Sequence, residues 1–161
     1  MVNILLDWLN LDYDYLREEL GRYLKPHHCV AFVAFSFRDA EIRSPEDWEL
    51  FYGREKGKYY ETYRDAFASV GIPMENVTFV NYFADTPESA AEKIRSADIV
   101  YFPGGLPDRM MDRIREFRLE EVLRTFPGIM MGFSAGAMIQ LGEFHVSPDD
   151  DYAEFFYYDG L

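Results

Sequence analysis

The chain has 161 residues, is 48% hydrophobic, and carries 16 Lys and Arg against 29 Asp and Glu, a formal net charge of −13. At this length folding buries roughly 70% of the surface that the unfolded chain exposes, so a core forms without disulfides or a structural metal, and the one cysteine, Cys29, has no intrachain partner. The acidic balance supplies no cationic footprint for nucleic acid or an anionic membrane surface, no apolar run approaches a membrane span, and the acidic N-terminus lacks the basic start of a signal peptide, so a soluble cytoplasmic protein is expected.

Short apolar runs alternate with longer amphipathic stretches, the pattern of a mostly parallel sheet covered by helices on both faces. In chain order, strands are expected at Asn3–Leu6, Cys29–Phe35, Val77–Asn81, Asp98–Phe102 and Gly128–Gly132. Leu16, Leu20 and Leu24 predict a helix over Tyr15–Leu24, and Tyr59, Tyr63, Phe67 and Val70 predict another over Lys58–Val70. A third helix opens with Thr86 as N-cap and Pro87 in its first turn, a fourth follows Gly105, and a fifth begins after Ser134. The charged, weakly periodic stretch Ser36–Gly57 reads as an insertion near the sheet rim. Cys29 is expected as an inert core residue inside its strand. The fold class is therefore α/β, three-layer, with residues 1–161 as one domain.

The strongest chemical signal is Gly132-Phe133-Ser134-Ala135-Gly136-Ala137, between an apolar strand and a helical run. A serine at such a tight turn projects its hydroxyl from the sheet, and small flanking residues let strand and helix approach closely. A structural turn is the alternative. Phe102-Pro103-Gly104-Gly105 closes the preceding strand, and paired glycines present backbone N–H groups without side-chain obstruction. Ligands in open parallel sheets bind outside the carboxyl ends of the strands, which should bring this loop beside Ser134. The N–H groups of Gly104 or Gly105 and of Ala135 would then make an oxyanion hole.

YFPGG and GFSAGAM, with the acidic run after the serine helix, resemble the dipeptidase E family of serine peptidases in the class I glutamine-amidotransferase-like superfamily. The resemblance extends over nearly the whole chain and implies a flavodoxin-like fold. It makes Ser134 the nucleophile, Gly104 and Ala135 the oxyanion-hole donors, and Asp149, in the run Asp149-Asp150-Asp151, the acid of a triad. Pro103 and Leu106 depart from the glycine or asparagine that family members carry beside the glycine pair. The implied activity is cleavage of short peptides without a cofactor or metal, and Arg109 is the candidate cation for an acidic substrate.

A serine hydroxyl needs a base. His27 and His28 precede the second strand, and His145 is flanked by Phe144 and Val146 in a strand-like setting, as a partly buried structural residue or an improvised base. The resemblance implies a catalytic histidine on a later strand, past Leu161. The expectation is therefore a C-terminally shortened domain, inactive in this form, with an exposed edge or face that favours a homodimer. The alternative is a non-catalytic α/β module that keeps the elbow to bind a small molecule or a partner.

Overall fold

The computed structural model describes residues 2–9 and 14–161. Strands β1 (Val2–Leu6), β2 (Val30–Val33), β3 (Val77–Val80), β4 (Ile99–Phe102) and β5 (Ile129–Phe133) form a parallel sheet in the order β1-β5-β4-β2-β3. Helices α1 (Asp14–Leu20), α2 (Pro45–Tyr52) and α3 (Tyr60–Ser69) cover one face, and α4 (Pro87–Arg95), α5 (Pro107–Glu116), α6 (Glu120–Arg124) and α7 (Ala135–Met138) the other. The three-layer α/β arrangement expected from the sequence is thus observed. An antiparallel hairpin, β6 (Glu143–Val146) and β7 (Phe156–Asp159), packs Phe144 and Val146 into the second face.

The central strands β2 and β4 are buried at every residue because helices cover both faces, which is why VAFV and IVYF read as unbroken apolar runs. Phe32, Tyr101 and Met131 point into the core under α2 and α3, and Val33, Phe102 and Met130 into the core under α4 to α7. β1 lies at one edge, with Leu5 47% exposed. β3 lies at the other, where the carbonyls of Val77 and Phe79 accept hydrogen bonds from Arg54 Nη2 at 3.2 Å and Lys93 Nζ at 3.0 Å.

Four local expectations change. The stretch 36–57 contains α2, capped by Ser44, whose hydroxyl accepts the Asp47 amide at 3.1 Å, with Pro45 in the first turn. Only Trp48 and Tyr52 of this helix are buried, a single i, i+4 stripe, which explains the weak periodicity. Cys29 is exposed rather than core: β2 starts at Val30, and Cys29 sits at the amino edge, where its amide donates to Asp98 at 2.9 Å. The helix after Ser134 is only four residues long, and α6 was not anticipated.

The buried Arg113 of α5 fixes the segment after β2. Its Nη1 donates to the Phe35 and Phe37 carbonyls at 2.5 and 2.8 Å, its Nη2 to Asp39 at 2.6 Å, and its guanidinium lies 3.7 Å from the Phe37 ring centroid. The winding of the parallel sheet changes sense between β2 and β4, whose connections leave to opposite faces, so the loops after these strands flank the crevice at the switch point.

Candidate active site

Ser134 joins β5 to α7 with φ 51° and ψ −120°, a left-handed backbone that costs a non-glycine residue about 1–3 kcal/mol. The surrounding structure holds it there. Its amide donates to the Leu6 carbonyl at 3.0 Å, and its carbonyl accepts the Ala137 and Met138 amides at 2.9 and 3.0 Å. A methyl group on Gly132 would lie 2.4 Å from the Gly136 carbonyl oxygen, and one on Gly136 would lie 2.1 Å from that of Phe102. The small residues of GFSAGA are therefore required by the close approach of α7 to β4 and β5, and the turn leaves Ser134 exposed.

The glycine pair after β4 stands next to this elbow because β4 and β5 are neighbours in register, Phe102 opposite Gly132. Gly104 has no room for a side chain: an added methyl group would meet the Phe133 ring at 2.7 Å. Its carbonyl accepts the Ser36 hydroxyl at 2.6 Å, and the Ser36 carbonyl accepts the Leu106 amide at 2.8 Å, stitching the loops after β2 and β4 together. Among the described residues, neither the Gly104 nor the Ala135 N–H donates to an acceptor. Beside them opens a cleft of about 740 Å³ that includes Ser134, Gly104, Gly105 and Phe133 in its lining.

A family model for peptidase family S51 matches residues 52–161, a span that holds the glycine pair, the serine elbow and the hairpin. The chain belongs to peptidase family S51. Two solved structures share the fold: a candidate peptidase E from Listeria monocytogenes EGD-e, with a TM-score of 0.56, 19% identity and 86% of this chain covered, and a peptidase from an acI-B1 Actinobacterium, with a TM-score of 0.55, 18% identity and 89% covered. The S51 chain spans 60% and 58% of their respective lengths. No curated protein sequence matches it significantly.

The three histidines, Asp149 and Arg109 of the S51 sequence are not part of the cleft lining. His27 and His28 sit in the turn before β2, at the amino edge of the sheet, opposite the carboxyl end that carries Ser134. His145 is on β6, exposed, and stacks on Phe155 with ring centroids 5.3 Å apart. Asp149 closes an Asx turn: its Oδ1 accepts the Asp151 and Tyr152 amides at 2.8 and 3.0 Å. Arg109 is exposed on α5 and approaches Asp39 at 3.8 Å.

Among the described residues, the cation that lines the cleft is Arg38, which sequence reasoning passed over together with Asp7, Glu41 and the rings of Tyr52, Tyr59 and Tyr63. Their common signal is position. Asp7 and Trp8 directly follow β1 and Ser36 to Arg38 lie just beyond β2, as Gly104 follows β4 and Ser134 follows β5. Burial pushes the Tyr52 phenol up, reinforced by Tyr59 and opposed by the Ser36 hydroxyl, and burial likewise raises Tyr63. Both phenols stay protonated at neutral pH and present hydrogen-bond donors, not bases, to the cleft.

Proposed function

We propose that the cleft is the active site of a serine hydrolase acting on short peptides. The Ser134 hydroxyl oxygen attacks the peptide carbonyl carbon, the Gly104 and Ala135 amides stabilise the oxyanion, the amine leaves with a proton, and water then releases the acyl group from Ser134. Asp149 is assigned as the acid that orients the base, through Oδ2, which is unbonded among the described residues. The observation that carries this reading is the left-handed Ser134 backbone, held beside the unspent N–H groups of Gly104 and Ala135.

None of the three histidines lines the cleft, so we assign this chain alone a slow turnover, several orders of magnitude below that of a complete triad. Reaction with a fluorophosphonate probe tests both parts. Slow labelling, abolished by Ser134→Ala and unaffected by His145→Ala, is expected. Loss of labelling in His145→Ala would make His145 the base and overturn the slow-turnover reading.

That no histidine belongs to the described cleft lining also favours a second reading, a module that binds peptides without cleaving them. Peptide binding with neither labelling nor hydrolysis would select it. We further assign the protein to the cytoplasm, in keeping with its single cysteine, and assign homodimer formation to the β1 edge.

A further inference from the structure

A second groove, of about 460 Å³, opens on the β3 edge of the sheet and shares only Tyr52 with the described lining of the cleft beside Ser134. Trp48 and Phe79, edge to face with ring centroids 5.8 Å apart, belong to its wall. Polar groups follow one another along it at intervals that the strand sets. Arg54 Nη2 donates to the Val77 carbonyl, Lys93 Nζ donates to that of Phe79, two residues on, and Asn81 lies two residues beyond Phe79. Carbonyls two residues apart on a strand are separated by roughly 7 Å, so Arg54 stands at one end of the groove and Lys93 with Asn81 at the other.

The fold leaves hydrogen-bonding capacity unspent at both ends. Asn81 is 9% exposed, and its Oδ1 accepts the amides of Phe83 and Ala84 at 2.9 and 3.3 Å. Those two backbone donors fix the oxygen end of the side chain, and its Nδ2 hydrogens have no acceptor among the described residues. Lys93 spends two of its three N–H groups, on the Phe79 carbonyl and on Asp85 Oδ2, and the Asp85 contact, at 2.7 Å, neutralises its charge. The Asn81 backbone amide donates to the same Oδ2 at 2.8 Å, so Lys93 and Asn81 converge there. At the other end, Arg54 bonds to a neutral carbonyl at 3.2 Å, and among the described residues neither it nor Glu49 forms an ion pair. A methyl group on Gly53 would lie 2.5 Å from Glu49 Oε2, which sets this carboxylate against the residue before Arg54. One end of the groove thus offers a carboxylate and a guanidinium side by side, and the other offers N–H donors beside an already neutralised charge.

We propose that this groove binds a free α-amino acid whose side chain ends in a neutral carbonyl of the amide or ureido type. The α-ammonium meets Glu49, the α-carboxylate meets Arg54, and the side-chain oxygen accepts from Asn81 Nδ2 and from the third N–H of Lys93. A simple anion gains from Arg54 but is repelled by Glu49, and a simple cation meets the reverse, so the zwitterion is the form that both charges favour. A cationic side chain would set its own N–H groups against those of Asn81 and Lys93 and leave all of them unpaired. The extended side chain of citrulline spans the interval of roughly 7 Å between the two ends.

Citrulline and arginine make the deciding comparison, because they match in length and differ only in the carbonyl oxygen that arginine replaces with a cationic nitrogen. Equilibrium dialysis of radiolabelled L-citrulline against the whole chain measures binding without a reporter in the protein and without hydrolysis. One site per chain is expected, and unlabelled L-arginine and N-acetyl-L-citrulline should each compete at least about tenfold less well than L-citrulline. Glu49→Gln and Arg54→Met, at exposed positions, should each weaken binding about fivefold, the size of an exposed charge-assisted contact. Asn81→Asp keeps an oxygen for the Phe83 and Ala84 amides but removes the Nδ2 donors, and should lower affinity at least as much. Arg38→Met, in the cleft beside Ser134, should leave binding unchanged. No citrulline binding, equal competition by arginine, a site that survives both Glu49→Gln and Arg54→Met, or a site lost in Arg38→Met would each overturn the proposal.

Discussion

Arg38 and Asp151 form a two-pronged pair, 2.7 and 2.5 Å long, between the segment after β2 and the loop before β7. The side chains are 45% and 27% exposed, so the pair is worth less than about 1 kcal/mol of stability, and its consequence lies in the cleft. It occupies the cation that an acidic ligand would seek. The hydrogen bond from Arg38 is the main cause that holds the Asp151 carboxyl below its ordinary value. A depressed carboxyl stabilises the fold fully above its unfolded pKa, and that contribution is lost as pH falls through the lowered value.

Asp151→Asn should therefore leave the urea midpoint at pH 7 nearly unchanged and improve Asp-Leu binding severalfold by releasing Arg38. Trp8 fluorescence titration of the variant measures it. Unchanged Asp-Leu binding would mean that Arg38 cannot reach a ligand even when free.

The close contact between α7 and the sheet makes a sharper stability prediction. Gly136→Ala drives a methyl group to within 2.1 Å of the Phe102 carbonyl oxygen, and backbone atoms there cannot swing aside as a long side chain would. A loss of about 3 kcal/mol is expected, at the upper end for overpacking. Gly142→Ala, where an added methyl group meets nothing within 4 Å, should change stability by no more than about 0.5 kcal/mol. Urea denaturation of the two variants gives the comparison, and equal losses would refute the packing account of the elbow.

Ser134 predicts an exchange of stability for reactivity. With φ at 51° the serine backbone is strained, and glycine adopts that region without a Cβ penalty. Ser134→Gly should raise stability by up to about 1 kcal/mol while removing fluorophosphonate labelling altogether. A destabilised Ser134→Gly would show that the hydroxyl makes a contact that outweighs the strain.

The elements most legible in the sequence were those that a single local cause determines. VAFV and IVYF are buried on both faces, and their unbroken apolar runs identify β2 and β4 without knowledge of the sheet order. Thr86 and Ser89 complete a reciprocal cap at the start of α4, a signal contained in a few adjacent letters. GFSAGA disclosed the elbow because its glycines are needed by the elbow itself. By contrast Arg38 and Asp7 join the cleft only because β1 and β2 end at its rim, which depends on the strand order. Cys29 misled because an apolar run shows where a strand is but not where its first buried residue lies. The pairing of Arg38 with Asp151 spans 113 positions, and neither residue carries a local mark of it.

Side chains satisfy backbone carbonyls on the β3 edge of the sheet, and this gives the last prediction. On the β3 edge, Lys93 donates to the Phe79 carbonyl at 3.0 Å and to Asp85 at 2.7 Å, and Asp85 also accepts the Asn81 amide and the Ser89 hydroxyl, each at 2.8 Å. Burial pushes the Asp85 carboxyl up, but Lys93, the Asn81 amide and the Ser89 hydroxyl outweigh it and hold the carboxyl below its ordinary value. Its contribution is therefore fully present above the ordinary carboxylate pKa and declines as pH falls through the lowered one. Lys93→Met removes the ammonium, leaves Asp85 8% exposed without its cation, and uncaps the Phe79 carbonyl. A loss of about 1–3 kcal/mol is expected at pH 7. The gap to the wild-type chain should narrow in acid, because protonation of Asp85 in the wild type removes the charge that Lys93 neutralises. Denaturant unfolding of both chains from pH 7 down to pH 3 measures the gap, and light scattering reports whether the uncapped β3 edge recruits further strands. A gap that stays constant over that range would assign the loss to the Phe79 hydrogen bond and to packing, and would remove the Asp85 charge from the account.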